Sequence, residues 1–333
     1  MILDKESWID VVRSGINACV QWNVDVILLS LGSPETVFSL DDPLLLATRV
    51  ASEHHIPVVV AAGNFGPGKL QALSLAPWVI TVGAVDVDEK LLADSGTGPA
   101  GGSGPTVVSY GTELEKQAQG PKWGEFGPGT SFALPRVAGV AAFIRSCLRL
   151  MISEVAALHS EPGSEMSQSV KVPVIGVVDT GVDLPQIQAV APVEARKDQQ
   201  GHTEVRLTRT SEEERWYTNV VEALKGGAAE CLLSDESEAV KRTLQLLARR
   251  LEGYAMHEVG AGLVSLSEAQ AFLSSLTPER WFGIFCPEAI RKLGPDRIVD
   301  MNNSLGVLWT EEKVQELQLN FYDRIRLAVV EVY

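Results

Sequence analysis

Two apolar patterns run along this chain. In the first, apolar residues follow one another without alternation: Val26, Ile27, Leu28 and Leu29; Val58, Val59, Val60, Ala61 and Ala62; most of residues 79–85; and Val174, Ile175, Val177 and Val178 around Gly176. Strands of that composition suit a parallel sheet covered on both faces. In the second, apolar residues recur every three or four positions, as helices require: Trp8, Val11, Val12, Ile16 and Cys19; Leu44, Leu45, Leu46 and Val50; Val137, Val140, Ala141, Ile144 and Leu148. Ser7 and Asp42 stand where the first two helices need caps, and Pro135 reads as a first-turn residue of the third, where a missing N–H costs little. His54 and His55 fall in the last turn of the second helix, where a histidine suits the dipole without any catalytic role. Helices alternate with strands, which predicts an α/β fold with a mainly parallel, doubly wound sheet. A final strand is expected over residues 323–333.

Composition narrows the function. Hydrophobic residues make up 45% of the 333 positions, and 43 acidic against 28 basic side chains leave a net charge of −15. That acidity argues against nucleic-acid binding. The sequence is read as having no apolar run of about 18 residues, so no membrane span is expected. No charged-then-apolar leader opens the chain, which points to a cytoplasmic location if Met1 is the true start and otherwise leaves location open. Cys19, Cys147, Cys231 and Cys286 are dispersed, with no metal-type spacing, as free thiols in a reducing compartment would be.

The chemistry concentrates in two places. Ser131 follows Gly129 and Thr130 at the mouth of the third helix, where the positive end of the dipole stabilises developing negative charge. Asn64 closes the run 58–63, at the carboxyl end of a strand, where open α/β sheets bind their ligands. The string Gly129-Thr130-Ser131-Phe132-Ala133-Leu134-Pro135, followed by Val137-Ala138-Gly139, closely resembles the nucleophile segment of the subtilisin-like serine proteases, the subtilases of peptidase family S8. Residues 25–34, 58–64 and 78–86 resemble further segments of that family, in the family's order. The resemblance implies a three-layer α/β/α fold and a serine endopeptidase that forms an acyl-enzyme on Ser131. It implies that Asn64 donates to the oxyanion. It also implies that Ser30, Leu31 and Gly32, with Ala62 and Gly63, border a cleft for an extended peptide or protein substrate.

A serine of this kind needs a histidine base and a carboxylate to orient it. In the family both precede the cleft strand, and neither motif is found upstream of Asp4. An apolar strand ending in Asp179-Thr180-Gly181-Val182-Asp183 resembles the family's aspartate motif, arriving after the serine rather than before it. Asp-Thr-Gly also occurs in aspartic proteases, but those need two, and this chain has one. Of the five histidines, His202 in Gln200-Gly201-His202-Thr203 stands nearest the family's order and spacing, although the glycine and apolar residues expected behind it are absent. His159 lies in a Ser/Pro/Glu-rich stretch. His257 belongs to a segment resembling the family's closing motif, Gly260-Ala261-Gly262-Leu263-Val264.

The expected organisation is a core over 1–150 with cleft strand, Asn64 and Ser131; a linker and interposed segment over 151–235 carrying Asp179; closing helices over 236–277; and an extension over 278–333 that opens a β-rich unit. Three architectures remain open: a permuted protease, a piece of a longer protease whose histidine lies elsewhere, or an inactive relative that binds peptides. No cofactor is expected, although the resemblance allows calcium.

Overall fold

The first helix, α1 (Lys5–Gln21), turns its apolar stripe, including Val12, Ile16 and Cys19, onto the strands that follow. It starts ahead of Ser7, which therefore lies inside the helix and does not cap it. The computed structural model describes residues 5–32, 39, 41–112, 128–158, 174–179, 194–197, 203–206, 236–275 and 326–331. After α1 come β1 (Val26–Leu29), α2 (Pro43–Glu53), β2 (Val58–Ala61), β3 (Ile80–Val85), β4 (Val107–Tyr110) and α3 (Thr130–Leu158). Then follow β5 (Val174–Asp179), β6 (Glu194–Lys197), β7 (Thr203–Arg206), α4 (Glu236–Leu247), α5 (Met256–Val259), α6 (Leu266–Ser274) and β8 (Arg326–Glu331). Asp42 caps α2 as its sequence position predicts: its Oδ1 accepts the amides of Leu44 and Leu45, with Pro43 at the first helical position.

The eight strands form one sheet in the order β4-β3-β2-β1-β5-β8-β7-β6. From β4 through β8 the pairing is parallel; β7 and β6 add an antiparallel edge. The three strands read from 25–31, 57–62 and 79–85 lie parallel as expected. β5 joins them beside β1, with Leu29 opposite Val178. The last strand does not stand in a unit of its own: β8 pairs with β5 in register, Val174 with Arg326 through Asp179 with Glu331. One face is covered by α1 and α2, whose buried residues cluster with Ile27, Leu29, Leu31, Val58 and Val60. The other carries α3, which crosses β1 to β5 and is backed by α4 and α6.

Two sequence expectations about α3 need correction. The helix begins at Thr130, so Pro135 lies in the second turn, and its missing N–H removes the bond that would run to the Ser131 carbonyl. In addition, Thr130–Arg149 is long and apolar enough by length and composition to cross a membrane. It is instead a core helix of the sheet, mostly buried.

Charge is buried under that helix. Arg145 and Arg149, one turn apart, are 1% and 7% exposed. Arg145 Nε donates to Glu236 Oε2 of α4 at 2.7 Å, and Arg149 donates to Asp25 Oδ1, just ahead of β1, and to Glu236 Oε2. Asp25 Oδ2 accepts the amide of Val174 at 2.8 Å, which pins the start of β5. Two guanidiniums and two carboxylates thus join α3, α4, β1 and β5. Burial opposes ionisation of Glu236, but Arg149 and Arg145 outweigh it and hold the carboxyl below its ordinary value. Burial, reinforced by Arg149, pulls Arg145 down from its own.

Candidate functional site

Parallel strands place their carboxyl ends along one edge, and the described candidates Ser30 to Gly32, Ala62 to Asn64 and Asp179 lie along it. Ile27 pairs with Val58 and Leu29 with Val60, so β1 runs out into Ser30-Leu31-Gly32 beside Ala61-Ala62-Gly63. The turn after β2 is tightly held. Ala62 N–H donates to Val82 O at 2.9 Å, Ala62 O accepts from Gln71 N–H at 3.2 Å, and Gly63 O accepts from Gly96 N–H at 2.7 Å. Gly63 has φ +97°, a conformation other residues rarely adopt, and it turns the chain so that Asn64 emerges exposed.

From the other side comes the mouth of α3. Gly129 N–H donates to Gly111 O at 2.9 Å, just past β4. Asn64 Oδ1 accepts two bonds from the next residue, one from Thr130 N–H and one from Thr130 Oγ1, each 2.9 Å. With Oδ1 so engaged, Nδ2 is the group Asn64 can offer a ligand. Close approach is possible because residue 129 is a glycine: a Cβ there would sit 3.0 Å from Asn64 Nδ2. Ser131 follows, exposed, in the first turn. Its amide is among those an α-helix leaves without an intrahelical acceptor. Asn64 is thereby held to the residue directly ahead of the exposed Ser131.

The remaining candidates divide. Leu31 and Ala62 are buried, Leu31 within the α1–α2 core, and the Ala62 N–H and carbonyl are both engaged, so neither side chain faces a ligand. Ser30 is half-buried and Gly32 exposed. Asp179 ends β5 at the same sheet edge, one strand beyond Ser30. Two strand spacings, about 10 Å, separate its backbone from that of Ala61. His202 lies outside the described residues. Directly after it, Thr203–Arg206 is strand β7, antiparallel to β8; a helix opens at the corresponding point of the family motif. His54 is exposed at the end of α2, its Nδ1 2.8 Å from Val50 O, and His257 lies in α5, its carbonyl accepting Gly98 N–H. Cys147, on the buried face of α3, and Cys19 are pushed up to about 12 by burial, which makes both poor nucleophiles. Among the described residues no three His, Cys, Asp or Glu side chains gather.

Sequence reasoning did not single out Thr130 as the group that orients Asn64. The available signal was its place directly ahead of Ser131 in a string where each position has a neighbour to serve. A separate cavity of about 580 Å³ lies farther along α3, lined by Tyr110, Pro135, Arg136, Ser265 and Glu268 among others, and Ser131 is not part of it.

Residues 2–156 match the sequence model of a family described as the Subtilase family. The chain is similar to the Major intracellular serine protease of Bacillus subtilis, 33% identical over 140 residues that make up 40% of this chain and 41% of that protein. It is similar to Subtilisin-like protease SBT1.6 of Arabidopsis thaliana, 36% identical over 86 residues, 25% of this chain and 11% of that one. Among solved structures it is similar to that of the Prenylagaramide maturation protease PagA, with a TM-score of 0.45 and 18% identity over 81% of this chain and 70% of the other. The chain spans less than half the length of the two curated relatives.

Proposed function

We propose that this chain, which belongs to the subtilase family, is a serine endopeptidase acting through an acyl-enzyme on Ser131. The observation that carries the reading is the double hydrogen bond from Thr130 to Asn64 Oδ1, which leaves Nδ2 as the donor and ties Asn64 to the residue next to Ser131 at a helix N-terminus. In the reaction Ser131 Oγ attacks the peptide carbonyl carbon and gives its proton to a base. The carbonyl oxygen becomes an oxyanion, and Asn64 Nδ2 and the Ser131 N–H donate to it. Collapse expels the amine, which takes the proton from the base; water then repeats the sequence on the acyl-enzyme. We assign the base to His202 and its orientation to Asp179. The position of Asp179 at the carboxyl edge beside β1, and the entry of β7 from that edge next to β8, support this.

A second reading, peptide binding without turnover, is favoured by one observation: Thr203–Arg206 is a strand where the family motif calls for a helix behind the histidine. A fluorophosphonate probe separates the two. Under the hydrolytic reading the probe labels the wild type at Ser131, Ser131→Ala and His202→Ala abolish labelling, and His257→Ala does not. A wild type that stays unlabelled overturns hydrolysis by this chain alone.

A further inference from the structure

The end of the β1–β2 pair holds a side chain that the reaction does not use. Gln71 is 1% exposed. Its Nε2 donates to Ala61 O, and its Oε1 is buried with no partner among the described residues. The bond to a carbonyl fixes the amide's orientation, because exchanging its two ends would set oxygen against oxygen. An unpaired buried oxygen is costly, and the anchor does not require Gln71, since Ser74 Oγ also donates to Ala61 O at 2.7 Å.

What Gln71 does supply is volume. Continuing the register of Leu29 with Val60, Gly32 comes opposite Gly63, so neither strand end carries a side chain there. A Cβ on Gly32 would run into the Gln71 carboxamide, 3.0 Å from its Cδ; one on Gly63 would lie 3.6 Å from Gln71 Cβ and 2.9 Å from the Phe65 ring. The space over Gly32 is filled by the Gln71 carboxamide, and that over Gly63 by the Phe65 ring with the Gln71 stem behind it.

We infer that Gln71 is a specificity-determining plug, which restricts the substrate residue whose carbonyl is attacked to glycine or alanine. The inference rests on the reading above, that the carbonyl lies between Ser131 and Asn64. The side chain of that residue branches from the carbon next to the carbonyl, so it starts within a few ångströms of Asn64. A peptide lying along Ser30 to Gly32 directs it between Gly32 and Gly63, where the carboxamide already sits.

The test uses the full chain carrying Ser131→Ala, which cannot turn peptide over, and fluorescent hexapeptides that differ only in that residue: Ala, Leu or Phe. Binding is read by anisotropy. The Ala peptide is expected to bind at least about tenfold tighter than the Phe peptide. Adding Gln71→Ala is expected to erase or reverse that preference, while Gln71→Met, which keeps the length and loses the amide, retains it. Thermal unfolding of each variant checks that the fold survives. Unchanged preference in Gln71→Ala, or no binding by any peptide, overturns the plug. Fluorophosphonate labelling of the chain with Ser131 intact runs in parallel. A selectivity shift without labelling refutes hydrolysis and leaves the plug standing; labelling without a shift does the reverse.

Discussion

Thr130 orients Asn64: both its amide and its hydroxyl donate to Asn64 Oδ1 at 2.9 Å. Residue 130 is the immediate neighbour of Ser131, so the group expected to bind the oxyanion and the group expected to create it are fixed to each other through one residue. Asn64→Ala is expected to lower kcat about 10²–10³-fold with little change in KM, as loss of one oxyanion donor does. Thr130→Ala keeps the amide bond and loses the hydroxyl. One neutral hydrogen bond is worth about 1 kcal/mol, so a loss in kcat of roughly fivefold is expected. Steady-state kinetics on a peptide substrate measure both, and a Thr130→Ala loss as large as that of Asn64→Ala would refute the positioning role.

Glu236 faces two buried guanidiniums, Arg145 at 2.7 Å and Arg149 at 3.4 Å. Glu236→Gln removes the negative charge and leaves both cations buried. Breaking a buried pair in this way costs about 3–5 kcal/mol. Urea unfolding monitored by circular dichroism should show the unfolding free energy, taken as midpoint times m-value, falling by that amount, and an effect below about 1 kcal/mol would mean that the cluster relaxes into water.

The same carboxyl gives a pH dependence whose sign is fixed. Its folded pKa is lowered, so the stability it contributes is complete above the unfolded value, about 4.3, and is lost as the pH falls from there through the lower folded value. Unfolding midpoints followed downward from about pH 5 should drop in the wild type and drop less steeply in Glu236→Gln. Parallel acid limbs would place the transition on other carboxyls.

Cys19 and Cys147 are buried thiols pushed up to about 12. Iodoacetamide at about pH 8 should leave both unmodified in the native chain and alkylate both once it is unfolded, since only the thiolate reacts. Peptide mass mapping reads each cysteine separately. Rapid native labelling of Cys147 would show α3 lifting off the sheet.

The strands that carry the site were legible because a parallel strand covered on both faces must be largely apolar, and β1, β2, β3 and β5 are, with Thr81 and the terminal Asp179 the polar positions. Asn64 was legible because it follows a glycine at the carboxyl end of such a strand, and Ser131 because it stands two residues after Gly129 at the mouth of an apolar helix. β4 was not, since Val107, Val108, Ser109 and Tyr110 are too few and too mixed to separate from a loop. The Arg145 cluster was hidden for another reason: its partners, Asp25 and Glu236, stand more than 80 residues away on either side. Two arginines one turn apart on the buried side of an apolar helix were the available sign that carboxylates had to meet them. Gln71 could not be read at all, because its role depends on two glycines facing each other across a strand pair.

The register between β5 and β8 bears on how the molecule assembles. Val174 pairs with Arg326, partners roughly 150 residues apart, while β5 itself waits beside β1 for a neighbour on its other side. A ribosome has to release nearly all of this chain before that pairing closes, and pairings over such distances form slowly. Until then the strand that ends in Asp179 presents a bare row of backbone groups, the kind of edge that recruits other chains. Completion of this sheet edge is thereby delayed until β8 has emerged, and the half-built chain depends on a chaperone or on speed to avoid aggregation.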